Sequence, residues 1–376
     1  MSLISTYEVV LFIMKYKIDI KIREQPYQII IEKGISKKTS FYIKKLKIGN
    51  FCFVVTTKKI HSFYKKYFKK MFSSLPYTIF CIPEGEKAKS KKCLFSILQS
   101  IIKESKPGRR LVMCSWGGGV VGDISGLAAS LYKRGTPFIQ IPTTLLAQVD
   151  ASIGGKTAID FGGIKNIIGT FYHPRIVLID PLFLLTLPKK ELKQGISEMI
   201  KYGIIKNKGL FYSLKHNPYK VLNVDIDYLV KTIYPCAKIK AKIVEKDEKE
   251  DKGLRTILNF GHTFAHALEA TLEFKRKIPH GAAVAWGMIQ AAKISKLMGL
   301  CSSKVVKEIE ETINIYKLTT PPTFSINSFI KYFMYDKKFK EGRIRLVLID
   351  KIGNAFIKNN IPLKVVKQSL QHTHIQ

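Results

Sequence analysis

Short apolar runs rich in β-branched and aromatic residues recur through the first half of the chain and restrict its fold more than any other feature. They are YQIIIEKG, NFCFVVTT, TIFCIP, RLVMCSW, FIQIP and RIVLID. Amphipathic stretches, such as the helical segment from Lys91 to Glu104, lie between them. Strands alternating with helices call for a mostly parallel sheet covered on both faces. After PLFLLTLP the pattern changes: from about Lys189 helical periodicity dominates, with few strand signals until IRLVLID. The expected architecture is an α/β N-terminal domain, residues 1–185, and an all-α C-terminal domain, residues 186–376, with the boundary inside 181–188.

A chain of 376 residues has ample material for such a pair of domains. Its formal charge of +35 invites a nucleic-acid partner. The lysines are dispersed, however, in clusters such as KKLK, KKYFKK and KAKSKK, and no nucleic-acid motif accompanies them. Biased lysine and isoleucine usage explains the charge better, with weak, salt-sensitive DNA affinity as a by-product. The six cysteines form no CxxC pair, which argues against a disulfide framework or a zinc ribbon and fits reduced thiols in the cytoplasm. Near the N-terminus, VVLFIM is too short to span a bilayer and follows Glu8 rather than a basic region. It reads as a ragged extension before the first strand, with Met14 as an alternative start.

Four segments carry chemistry. In WGGGVVGDISG, Gly117, Gly119 and Gly122 satisfy GxGxxG between a strand and a helix, where backbone amides can meet a pyrophosphate. The acidic residue that usually ends the next strand is missing, since FIQIP runs into Thr143 and Thr144. Asp123 also suits the start of a helix on electrostatic grounds alone. In PTTLLAQVDASIGGKTAIDFGGIKN, Asp150, Lys156, Lys165 and Asn166 stand among small apolar residues, and lysines beside glycines suggest anion binding. In GISEMIKYG, Glu198 and Lys201 are three apart on a mostly apolar helix, which favours a buried functional carboxylate over a surface pair. The fourth segment, NFGHTFAHALEA followed by KIPHG, gathers His262, His266 and His280 within nineteen residues. Histidines and a carboxylate with an open position suit zinc or a similar ion. Spacing alone pairs His262 with His266, although Thr263 stands where the HExxH glutamate would be.

Taken in order, EGEKAKS, GGGVVGD, PTTLLAQVDASIGGKT, IKNIIG, FYHP, SEMIKYG, GLRTILNFGHT, HG and DKK closely resemble the 3-dehydroquinate synthases of the shikimate pathway. The resemblance spans about residues 83–338. It implies an NAD-binding α/β domain, a helical domain and an active site in the cleft between them. It also implies that Glu198, His262 and His280 hold one divalent metal, zinc or cobalt, leaving His266 for proton transfer. NAD would meet Glu84, Gly85, Glu86, Lys87, Ala88 and Lys89. It would also meet Gly119, Val120, Val121, Gly122 and Asp123, then Thr143, Thr144, Lys156 and Lys165, and finally Phe183, Leu184, Leu185 and Thr186. The sugar phosphate substrate would meet Asp150, Lys156, Asn166, Lys201, Lys240, Arg255, Asn259 and His266. Arg134 would reach in from the second subunit of a homodimer, and one lysine of Asp336-Lys337-Lys338 would join the phosphate site. The implied reaction turns 3-deoxy-D-arabino-heptulosonate 7-phosphate into 3-dehydroquinate and phosphate. Its steps are transient oxidation, elimination, reduction, ring opening and an intramolecular aldol closure.

Some positions depart from that pattern. Ala265 and Ala282 replace the usual glycine and glutamate, Trp116 and Trp286 replace small or aliphatic residues, and residues 250–253 hold one extra position. None removes an expected ligand. The readings this leaves in competition are another NAD- and zinc-dependent sugar phosphate cyclase, a metal-dependent polyol dehydrogenase, and a basic nucleic-acid-binding protein.

Overall fold

The computed structural model describes residues 14–272, 278–318, 323–335, 339–340 and 343–370. The VVLFIM run and the Asp336-Lys337-Lys338 segment lie outside the described residues. The strands are β1 (Lys15–Ile20), β2 (Tyr27–Glu32), β3 (Phe51–Thr57), β4 (Tyr77–Ile82), β5 (Leu111–Gly117), β6 (Phe138–Pro142), β7 (Lys156–Phe161), β8 (Ile164–Phe171), β9 (Ile176–Ile179), β10 (Phe339–Lys340), β11 (Arg343–Lys351) and β12 (Asn354–Ile361). The helices of the first half are α1 (Thr39–Lys45), α2 (Lys58–Met71), α3 (Lys91–Glu104) and α4 (Gly119–Leu131). Those of the second half are α5 (Lys189–Lys206), α6 (Lys208–His216), α7 (Pro218–Leu222), α8 (Ile226–Lys246), α9 (His262–Leu272), α10 (His280–Leu297), α11 (Ser303–Ile315), α12 (Ile326–Tyr335) and α13 (Leu363–Leu370).

The main sheet has seven strands in the order β1-β2-β9-β6-β5-β3-β4, parallel throughout except for the antiparallel β1–β2 pair at one edge. Central strand β3 is buried at every position, as a parallel strand covered on both faces must be. Alternation splits its side chains between the faces. Val54 joins Cys114, Ile139, Phe68 and Met71 under α2, while Phe53 and Val55 join Met113, Ile97, Ile101 and Ile124 under α3 and α4. Trp116 fits the first of these layers, its ring centroid 3.7 Å from that of Phe68 and 5.5 Å from that of Phe183.

The carboxyl ends of β5 and β6 are tied together by the Thr143 amide donating to the Gly117 carbonyl at 2.9 Å. Beyond β6 the chain makes a π-helical turn, Ala147–Ala151, which packs against α5 and α8. The strand ends thus open toward the helical region, where α/β folds place their ligands.

That region is largely helical. Helix α10 is buried on nearly all sides, packed against α5, α9 and α11. Trp286 is absorbed there by Phe324 and Phe329, with centroids 5.6 Å away in both cases. The all-α expectation requires a correction: β10, β11 and β12 form a three-stranded antiparallel sheet near the C-terminus. IRLVLID is the core of β11, and its partner β12, NAFIKNNI, carries exposed Lys and Asn residues before the buried Ile361, which dilute the strand pattern.

Candidate active site

The glycine turn between β5 and α4 is tight. A Cβ on Gly117 would lie 2.4 Å from Val121, and one on Gly118 would lie 3.0 Å from Thr144. Only glycine lets the chain enter α4 this way, with Gly119, Val120, Val121, Gly122 and Asp123 forming the first turn of the helix. Beside it, Lys89 is almost fully buried, donates to Asp123 at 2.8 Å and contacts the Asn166 side-chain oxygen. Burial pushes the Asp123 carboxyl up to about 6 despite the opposing charge of Lys89. The structure therefore places Asn166, expected at the substrate, against Lys89 and through it near Asp123, both expected at the nucleotide. The Asn166 amide donates to Asp160 at 2.8 Å. Of the segment 183–186, Phe183 and Leu184 are buried in the core and Leu185 is exposed. The Thr186 hydroxyl lies 2.5 Å from that of Tyr64.

Glu198, His262 and His280 converge from α5, α9 and α10, and one ligand atom of each lies within 4.8 Å of the others. Two close approaches bring these elements together. A Cβ on Gly287 of α10 would lie 2.1 Å from the Gly261 carbonyl just before α9, and one on Gly281 would lie 2.6 Å from Gln194 of α5. The pairing of His262 with His266 that spacing suggests is not the group the structure brings together. His266 is exposed on the next turn of α9, its ring 5.9 Å from that of His262, and it is outside the three-residue group.

The donor set fits a divalent cation. Glu198 is buried, and neither carboxylate oxygen has a hydrogen bond of ordinary geometry, although the Lys201 ammonium lies against one of them. The His262 Nδ1–H donates to the Phe260 carbonyl at 3.2 Å, which leaves Nε2 unprotonated 3.5 Å from Glu198. Burial first, then the Lys201 charge, pushes the His262 pKa well below its usual value, which favours the neutral ring that metal ligation needs.

A second cluster adjoins the first. Tyr202, the residue after Lys201, donates its hydroxyl to Asp150 at 2.5 Å, and Lys240 reaches the same carboxylate at 2.9 Å. Burial opposes ionisation of Asp150, but Lys240, Lys201 and Tyr202 outweigh it and hold the carboxyl well below its usual range. Farther out, Arg255 donates to the carbonyls of Gly154 at 3.1 Å and Glu248 at 2.9 Å. Lys156 pairs with Glu250 at 2.5 Å, and that carboxylate is also 3.8 Å from Arg255. Asn259 ends the turn leading to His262, and Arg134 is exposed with a left-handed φ of +60°. Sequence reasoning missed Tyr202, Glu269, Glu250 and the buried His173. Only Glu269 left a usable sign, seven residues after His262 and so on the same helical face.

The same fold occurs in solved structures of carbocycle-forming synthases and of reductases. The chain superposes on a 2-deoxy-scyllo-inosose synthase in complex with carbaglucose-6-phosphate, NAD+ and Co2+ with a TM-score of 0.83, at 23% identity, covering 96% of this chain and all of that one. Against a 2-epi-5-epi-valiolone synthase from Streptomyces hygroscopicus with bound NAD+ and Zn2+ the TM-score is 0.80, at 24% identity over 93% of this chain and 97% of the other. Residues 79–194 match the 3-dehydroquinate synthase N-terminal family and residues 195–339 the C-terminal family. A 3-dehydroquinate synthase of Dictyoglomus thermophilum is 41% identical over 94% of this chain and 97% of its own length. One of Vibrio atlanticus is 44% identical over 77% and 80%. The chain belongs to the 3-dehydroquinate synthase family.

Proposed function

We propose that the protein is a 3-dehydroquinate synthase, a phosphate-eliminating lyase acting on 3-deoxy-D-arabino-heptulosonate 7-phosphate with NAD and one divalent metal. The observation that carries this reading is the Glu198–His262–His280 group beside an array of buried cations, on a chain about 40% identical to enzymes of that name. On this reading residues 1–185 hold the nucleotide at the glycine turn, Glu84–Lys89 and 183–186. Residues 186–376 hold the metal. The enzyme is a cytoplasmic homodimer, with Arg134 crossing to its partner's site and zinc or cobalt as the ion. Among the described residues no helix is long and apolar enough to cross a membrane.

When bound, NAD supplies a reversible hydride acceptor and the cation a Lewis acid for a substrate hydroxyl. This chain's residues do the rest. Glu198, His262 and His280 offer three protein ligands and leave coordination positions for substrate oxygens. Lys201 and Lys240 bring positive charge to developing oxyanions in a water-poor site. Lys156 and Arg255, which both face the Glu250 carboxylate, bind the anionic groups of the substrate. His266, exposed and outside the ligand group, can move a proton near the ring. Phosphate release from the heptulosonate phosphate, measured with NAD and zinc before and after chelation, tests the proposal. Chelator-sensitive release is expected, and no release from metal-loaded protein would overturn it.

A further inference from the structure

His280 opens α10 behind Pro279, with no side-chain cap at that helix end. Its backbone position alone does not fix its ring. Glu269 does: the Glu269 carboxylate lies 3.0 Å from His280 Nδ1. A carboxylate only accepts, so Nδ1 carries a proton and Nε2 is the nitrogen left to act as a ligand. The arrangement mirrors His262, whose Nδ1 donates to the Phe260 carbonyl. Both rings are thus held at Nδ1, one by main chain and one by a charged side chain. Glu269 sits two turns after His262 on α9, so a single helix carries one ligand and the anchor of another.

We infer that Glu269 is a positioning residue for the metal site, setting the tautomer and orientation of His280. This inference rests on the reading of Glu198, His262 and His280 as metal ligands. A carboxylate on the remote nitrogen of a ligating histidine strengthens it as a ligand, and losing such a partner typically weakens metal binding about 10- to 100-fold.

The test is the affinity of chelator-stripped full-length protein for Co2+, by competition with a chromophoric chelator, together with the visible spectrum of the cobalt-loaded protein. Glu269→Ala should bind Co2+ about 10- to 100-fold more weakly, with an altered spectrum. Glu269→Gln keeps an acceptor oxygen and should fall between Ala and wild type. His262→Ala, measured alongside, should lose the site. If wild type binds no cobalt, or His262→Ala binds as wild type does, the ligand reading itself fails. If those two behave as expected but Glu269→Ala matches wild type in affinity and spectrum, only the role of Glu269 is refuted. Should Glu269→Ala not fold, the Gln variant decides: weakened binding supports the role, and unchanged binding and spectrum overturn it.

Discussion

Removing Glu198 without Lys201 should cost far more than removing both. Their side chains are each only 2% exposed and sit three apart on α5. Glu198→Leu leaves Lys201 buried without its partner. Breaking a buried pair from one side costs about 3–5 kcal/mol. The Asp150 carboxylate still attracts the Lys201 charge through the same interior, which places this variant at the lower end. Lys201→Met strands Glu198, whose oxygens have no ordinary hydrogen bond, and belongs at the upper end. The double variant, Leu and Met, replaces the pair with apolar groups of similar volume and should lie within about 2 kcal/mol of wild type. The coupling between the two positions is then several kcal/mol. Urea unfolding of chelator-treated protein measures it, because no metal then adds binding energy to the folded state. Single-variant losses that simply add in the double variant would refute the reasoning.

Other expectations concern separate parts of the molecule. Tyr202→Phe removes a hydrogen bond to the charged Asp150 and should destabilise by about 1.5–3 kcal/mol in urea unfolding. Because the pKa of folded Asp150 is lowered, that stabilisation is present above the unfolded value near 4 and is lost as pH falls, so the difference between the proteins should shrink in acid. His173 behaves oppositely in cause. Burial and the Arg255 charge lower its pKa to about 4, so between about 6.5 and 4 the unfolded chain binds the extra proton and wild-type stability drops as pH falls. The drop reaches up to about 3 kcal/mol and should vanish in His173→Gln. Gly287→Ala pushes a Cβ to 2.1 Å from the Gly261 carbonyl, so α9 and α10 must separate. A loss of about 1–3 kcal/mol, with weakened metal binding, is expected from thermal melts and metal analysis. His262→Ala should lose its metal and His266→Ala keep it; equal loss in both would contradict the ligand set.

The sheet was legible because its inner strands must be apolar on both faces. YQIIIEKG, NFCFVVTT and RLVMCSW admit few other structures, and all three became strands where expected. The β7–β8 hairpin was not legible as a hairpin. Every residue of β8 is exposed, so no buried face imposes an alternation, and its glycines and lysines read as a binding loop. The site divides in the same way. Spacing on one helix brought His262 and His266 to notice, but spacing says nothing of a carboxylate 64 residues earlier on another helix. Only a family resemblance connected Glu198 with His262 and His280 before their ligand atoms were seen to lie within 4.8 Å of one another. Asn166 makes a further contact that no local pattern encodes: its side chain meets Lys89.

The central claim is that one chain oxidises and then reduces its substrate, so that NAD is regenerated in each turnover. The direct measurement is 3-dehydroquinate formed per NAD supplied, with metal present, NAD far below the heptulosonate phosphate, and absorbance followed at 340 nm. The account predicts many products per NAD and no steady rise at 340 nm. One reduced nucleotide accumulating per substrate consumed would instead mark a dehydrogenase and contradict it.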